Sequence, residues 1–454
     1  MRHRGMLMAG VLLLAVAAAA GAEEKAPADE DVKTTIEALK ARNRDLEKRL
    51  TDLEGKIGEG AEAQRVRREE VRMMIDKAML DSKDKFAPGW LENLKFGGDF
   101  RLRYEAAHQT SRSVDERARF RLRFGFTKTW PKEDLEVGFR LASGNNNDPT
   151  STNQTFEDMF QKQSIWIDRA YAKWTPKAVK GLSLTAGKFA NPFQSSDIIW
   201  DSDVVPEGAW LEYRYPGFGD AFTPFVGAGI FELGFDAAGV NGMPEGRSPV
   251  LDAYTAGAVV KVAKDVTWTP SLTFYNFNQI EQQFMRTPFA ARGNTVRNVG
   301  GNKLVTDEME QFEIMNKVSF KAFNLPMSVY GDWVKNCGVN NRYGLPNGNT
   351  PRERDEAWAL GLAVGENKKK GDWMFAYKYA YIQSDAVLGY FADSDFGYGN
   401  RKGSVFSLVY NVTDYMTAGF SLFYTSPIWA PARVVGQPTH ESQFTGLFDL
   451  VWKF

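Results

Sequence analysis

The last eleven residues, Phe444 to Phe454, put Phe444, Gly446, Phe448, Leu450, Trp452 and Phe454 on one side of an extended chain. Thr445, Asp449 and Lys453 fall on the other. A two-residue period of this kind gives a strand one apolar and one polar face, and about 9 to 11 such residues are enough to cross a bilayer. A single strand of this type would also serve as the edge of a soluble sandwich. What decides is how often the pattern recurs and how its copies are joined.

It recurs from Leu94 onward. Leu94, Phe96, Gly98, Phe100, Leu102 and Tyr104 alternate with Lys95, Gly97, Asp99, Arg101, Arg103 and Glu105. Phe120, Leu122, Phe124 and Phe126 alternate with Arg119, Arg121 and Arg123, and Leu135, Val137, Phe139 and Leu141 with Glu136 and Arg140. Further strands are expected near 164–174, 181–189, 207–215, 223–233, 253–263, 266–276, 310–322, 327–335, 356–365, 372–383, 403–412, 416–426 and 444–454, with the two faces least cleanly separated at 164–174 and 223–233. Tight turns at 131–134, 176–180, 216–220, 264–265, 324–326, 366–370 and 413–415 alternate with longer polar links at 107–117, 144–162, 190–206, 234–251, 277–308, 336–354, 384–401 and 427–442. A transmembrane barrel alternates short turns and long loops because its two rims face different compartments, and a sandwich has no reason to do so. An even strand number brings both ends to one rim, where the last strand can pair with the first and leave no edge in lipid. The fold expected is an all-β antiparallel transmembrane barrel of about 16 strands over residues 90–454.

Composition agrees once the barrel is considered. Mean hydropathy of −0.39 resembles that of an ordinary soluble protein. Beyond the N-terminus no run of about 18 apolar residues appears, so a bundle of membrane helices is excluded, whereas barrel strands are half polar and escape that test. One Cys and three His exclude a disulfide framework and most metal sites. Arg2 and Arg4 precede the apolar run Met6 to Ala20, and Ala20-Gly21-Ala22 is a small-residue cleavage site, so residues 1–22 read as a signal peptide for export. Val32, Ile36, Leu39, Asn43, Leu46, Leu50, Leu53 and Ile57 follow at alternating intervals of four and three. This is a heptad seam, and it predicts an α-helical coiled coil within a periplasmic segment, 23–89, that trimerises or spaces.

Gly98-Asp-Phe-Arg-Leu-Arg-Tyr-Glu105, Asp168-Arg-Ala-Tyr171, Gly187-Lys-Phe-Ala-Asn-Pro-Phe193, Trp200-Asp-Ser-Asp203 and Pro206-Glu-Gly208 resemble a family of porins from Gram-negative bacteria. The resemblance covers roughly 90–454 and implies a sixteen-stranded, trimeric general diffusion pore in the cell outer membrane. It also implies that Phe454 is the assembly signal read by the barrel-assembly machinery. The partners expected are outer-membrane lipid, further copies of the chain in a homotrimer, that machinery and peptidoglycan; nothing points to nucleic acid.

In porins the third long connection folds into the channel. Here it is 190–206, carrying Asp197, Asp201 and Asp203 with Glu207 at its exit. Alternation puts Arg101, Arg103, Arg119, Arg121, Arg123 and Arg140 on the polar side of three adjacent strands, where they would line the pore opposite those acids. Opposed rows of acid and base make a transverse field at a constriction; bracing of the wall is the rival role for any single arginine. Tyr104, Trp130, Trp174, Tyr213, Tyr215, Trp268, Trp373, Tyr424 and Trp452 are expected in interfacial girdles. The histidines sit in no nucleophile or metal motif, so neither an enzyme nor a cofactor is expected. The function read from these features is passive diffusion of small hydrophilic solutes or ions. A structural, adhesive or wall-tethering barrel, and a substrate-specific or partner-filled conduit, stay open beside it.

Overall fold

The computed structural model describes residues 37, 40–42, 44–49, 72–74, 91–109, 112–234, 249–280, 292–299, 302–339, 354–429 and 441–454. Sixteen strands make the wall: β1 (Leu94–Gln109), β2 (Arg112–Trp130), β3 (Leu135–Ala142), β4 (Trp166–Trp174), β5 (Leu182–Lys188), β6 (Glu207–Arg214), β7 (Phe222–Glu232), β8 (Val250–Ala263), β9 (Val266–Asn278), β10 (Met309–Ala322), β11 (Leu325–Asn336), β12 (Glu356–Gly365), β13 (Trp373–Ile382), β14 (Arg401–Asn411), β15 (Met416–Pro427) and β16 (Gln443–Lys453). Each pairs antiparallel with its neighbours in sequence, and β1 pairs with β16, so the sheet closes. Two-residue Gln154–Thr155 adds to β2, and Val296–Val299 pairs with Asn302–Val305 in a separate ribbon.

The seam shows why closure takes this register. Phe100 lies opposite Trp452, Leu102 opposite Leu450 and Tyr104 opposite Phe448, apolar against apolar. On the other face Arg103 lies opposite Asp449 and binds it with both prongs, Nε to Oδ1 at 2.7 Å and Nη2 to Oδ2 at 2.8 Å. Because the side-chain period is two, a slip by one residue would send every aromatic inward and the ion pair into lipid. Phe454 extends the match: its amide donates to Gly98 O, and its own carbonyl accepts from Gly98 N at 2.9 Å.

Short turns and long loops occupy opposite rims. The β10–β11 turn is the two residues Phe323-Asn324, both at positive φ (52° and 60°), as a two-residue hairpin matched to strand twist requires. Exposed Trp130, Trp174, Tyr215, Trp268, Trp373 and Tyr415 ring the short-turn rim, and Trp166, Tyr254, Tyr424 and Phe444 lie toward the other. Amphipathic rings at two levels suit the headgroup layers on either side of an apolar band. Among the described residues no helix is long and apolar enough to cross a membrane.

Two expectations are corrected. The coiled coil over residues 32–57 is not present: among the described residues the N-terminal part has only two short helical stretches, within 37–49 and at 72–74. Of the seam residues, Ile36, Leu39, Asn43, Leu50, Leu53 and Ile57 lie outside the described residues, and Leu46 is 43% exposed. A heptad seam supplies half of a knobs-into-holes interface and is buried only when a second helix supplies the rest. The described turns instead carry same-chain pairs, Lys40 with Glu37 at 3.9 Å and Arg49 with Asp45 at 3.1 Å, which need no partner helix. Among the described residues the fold is therefore the barrel, with no coiled coil. The link at 107–117 is also shorter than expected, since β1 runs to Gln109 and β2 begins at Arg112. The signal-peptide residues 1–22 lie outside the described residues.

Candidate functional site

The segment between β5 and β6 is held inside the wall by both apolar and polar contacts. Phe189, Phe193, Ile198, Ile199, Trp200 and Val204 are buried with Trp210 of β6, Phe231 of β7 and Tyr275 and Phe277 of β9. Phe193 is the hub, its ring 4.9 Å from that of Tyr275, 5.3 Å from Trp210, 5.4 Å from Trp200 and 5.7 Å from Phe231. Its backbone is set by Asn191, whose Oδ1 accepts the Phe193 amide at 2.9 Å, an Asx turn placed just before the hub. From there the segment reaches round the barrel. Gln194 donates to the Thr269 carbonyl of β9 at 3.0 Å, Ser196 Oγ to Asp332 of β11 at 2.6 Å, and Asp197 takes Lys378 Nζ of β13 at 2.6 Å. At the far side Asp203 lies 3.4 Å from Arg123 and 3.9 Å from Arg121, both on β2.

A second segment, 383–400 between β13 and β14, is interlocked with the first. Asp201 N donates to Phe391 O at 2.7 Å, Asp393 N to Asp197 O at 3.0 Å, and Ser394 N to Asp201 Oδ2 at 3.3 Å. The rings of Trp200 and Phe391 stack at 5.1 Å. Asp393 lies 3.4 Å from Lys378, so that one lysine joins both segments to the wall, while Asp395 pairs with Arg103 at 2.8 Å. Sequence reasoning stopped at the first segment, although Asp393-Ser-Asp395 repeats the tripeptide Asp201-Ser-Asp203 and was a legible signal.

The arginines are distributed unequally. Arg103 meets both Asp449 on the wall and Asp395; Arg121 and Arg123 each bind Asp99 of β1 at 2.6 Å and approach Asp203. Arg119 lies 3.4 Å from Glu105, and Arg140 pairs with Asp168 away from the segment. Arg101 has no carboxylate within ion-pair distance and donates from Nη2 to Asn153 Oδ1 at 2.5 Å. Glu207 is not brought to the arginines: it is exposed and pairs with Lys188 at 2.6 Å. Arg101, Arg103 and Arg121 on one side, and Asp197, Asp201, Asp203, Asp393 and Asp395 on the other, line one cavity of about 240 Å³.

The loop carboxyls separate by environment. Burial raises the Asp203 carboxyl, but Arg121, Arg101 and Arg123 outweigh it and hold the group below the ordinary carboxylate range. Asp395 is likewise held low, Arg103 overcoming burial. Asp201 has no such cation, and burial, with Asp393 beside it, pushes its carboxyl well above the ordinary value. Burial also raises Asp393, to about 6, against the pull of Lys378. Thus two acids of the cavity are held low by arginines and two are raised by burial. Among the described residues no group of His, Cys, Asp and Glu is arranged to hold a metal ion.

The family model described as "Putative porin" matches residues 108–304 and 289–439. No curated protein matches the chain significantly. Among solved structures, Pseudomonas putida OprB at high pH is similar at 15% identity and a TM-score of 0.50, over 80% of this chain and 94% of that one. Salmonella typhi OmpF in complex with daunomycin is similar at 12% identity and a TM-score of 0.47, over 80% and 97%. The matched residues take in most of the sixteen-stranded barrel, and the chain belongs to this porin family, a class of non-catalytic outer-membrane β-barrels with the character of diffusion channels.

Proposed function

We propose that the chain is exported by cleavage after Ala22 and forms, with residues 90–454, a water-filled channel for passive diffusion of small hydrophilic solutes and ions. Segment 190–206 constricts it, and 383–400 completes the constriction. The observation that carries this reading is the cavity between the two rows of opposite charge, Arg101, Arg103 and Arg121 against the five aspartates of the two segments. Such rows orient dipolar solutes and make passage costly for apolar ones, which would have to displace ordered water. Arg119 and Arg123 reinforce the basic side from the same face of β2. The exposed apolar outer face suits lipid, and the molecule works there as a homotrimer.

The reading is tested by reversal potential in a salt gradient across a planar bilayer. Replacing Arg119, Arg121 and Arg123 together by Gln leaves Asp99 and Asp203 without their ion-pair partners, while Glu105 keeps Arg117 at 2.6 Å, and should move the reversal potential toward that of a cation-selective pore. A value unmoved from the parent would assign those arginines to bracing alone.

A further inference from the structure

The cavity between the two rows has one charge of each sign left over. Of the eight charged side chains that line it, six are matched within 4 Å: Arg103 with Asp395, Arg121 with Asp203, and Asp197 and Asp393 with Lys378 behind them. The two without an oppositely charged partner are Arg101, from β1, and Asp201, from segment 190–206.

Each retains bonding capacity. A guanidinium has five N–H donors, and Arg101 uses one of them, toward the neutral amide oxygen of Asn153. Arg103 and Arg121, also lining the cavity, add to the positive potential around it. The two oxygens of Asp201 each accept one backbone amide, Oδ1 from Asp203 at 2.8 Å and Oδ2 from Ser394 at 3.3 Å, which leaves each a second lone pair. Unmatched charge in a confined site is costly unless water or a ligand supplies what is missing. At about 240 Å³ the cavity has room for several waters, or for a small organic solute in their place.

Charge balance narrows the class of solute. A simple anion attracted by Arg101 would meet five aspartates, and a simple cation attracted by Asp201 would meet three arginines. A molecule carrying both charges meets neither objection. We propose that this cavity is a binding subsite for small zwitterions, with the solute carboxylate on Arg101 and its ammonium group on Asp201. The inference deepens the channel reading and rests on it. The environment of Asp201 fits the role: burial and Asp393 raise its carboxyl, and an ammonium beside it would favour its charged form.

The test uses the purified full chain in a planar bilayer with KCl and an added series of zwitterions of increasing charge separation, from glycine through β-alanine to γ-aminobutyrate. At least one member should reduce the KCl current saturably, at a concentration at least about tenfold below that needed for acetate or methylammonium, since each end contributes a charge-assisted hydrogen bond. Arg101→Gln and Asp201→Asn should each weaken that block about tenfold, while Arg101→Lys keeps part of it; resistance to unfolding in detergent identifies variants that have folded. Channels that conduct but are blocked no better by any zwitterion than by acetate and methylammonium would overturn the subsite and leave the channel intact. Block unchanged in folded Arg101→Gln would also overturn it. If the parent conducts no ions, the channel reading has failed, and calorimetric titration of the detergent-solubilised protein with the same series decides the subsite independently.

Discussion

Lys378 is the place where a single substitution should release the interior of the barrel without breaking its wall. Its ammonium lies 2.6 Å from Asp197 and 3.4 Å from Asp393, one from each interlocked segment, and its side chain is about one-tenth exposed. Lys378→Met keeps the length and apolar stem but leaves two carboxylates facing one another. Removing one member of a buried ion pair costs about 3–5 kcal/mol. Asp197 is 39% exposed and rehydrates readily, which argues for the low end of that range, roughly 3 kcal/mol. At about 1.4 kcal/mol per tenfold, the undocked population of the segments should rise on the order of a hundredfold. The apolar hub around Phe193 is untouched, so docking weakens without being abolished. Single-channel recording at pH 7.5 should show a large increase in open-channel noise and in brief changes of conductance, with no change in thermal resistance of the barrel. At pH 5 the effect should shrink, because Asp393 then takes a proton and no longer repels Asp197. Noise and conductance equal to the parent at pH 7.5 would refute the idea that Lys378 holds the segments in place.

The acid side of the cavity gives a pH dependence of its own. Asp393, faced by Lys378, Asp197, Asp395 and Asp201, has a folded value of about 6 against an ordinary 3.8, so between those limits the folded chain binds a proton that the unfolded chain does not. The docked arrangement therefore gains stability as pH falls from about 6 toward 4 and loses it as pH rises through 6. Selectivity should shift toward anions over the same window, by titration of reversal potential, and Asp393→Asn should remove the step near 6; a flat profile in the parent would contradict the assignment. Deleting Phe454 should impair insertion more than the conductance of molecules that insert, measured as yield of folded barrel against single-channel current, because the loss falls on the last backbone pairing with Gly98. Equal yield would remove Phe454 from assembly.

Most of the wall was legible because period-two alternation is a direct consequence of a pleated strand between lipid and water. Where alternation blurred, the structure supplies the reason. In β7, Phe225 and Phe231 are buried and belong to the inward face, so both faces read as apolar. In β4, pairing with β3 skips Asp168 between Arg169 and Ile167, and one extra residue reverses the phase. At 107–117 polar residues dominate, which looks like a loop although β1 stays paired with β16 as far as Gln109 and β2 begins at Arg112. The coiled coil failed for a different reason: heptad spacing describes one helix, and no sequence states that a partner helix is present. For the site, segment 190–206 and its acids were visible, whereas Lys378 lay in a strand far along the chain. The apolar anchoring by Phe193, Trp200 and Tyr275 was also hidden, because an aromatic on an inward face reads as an interruption of the polar row and not as the floor for a folded-in segment.

The central claim is that the barrel encloses a continuous aqueous path between opposed charged rows. Single-channel recording of the purified chain in a planar bilayer, in a KCl gradient, tests it most directly. The account predicts stepwise, ohmic currents with a defined reversal potential set by the charged rows. A folded, inserted barrel that passes no ions would contradict it.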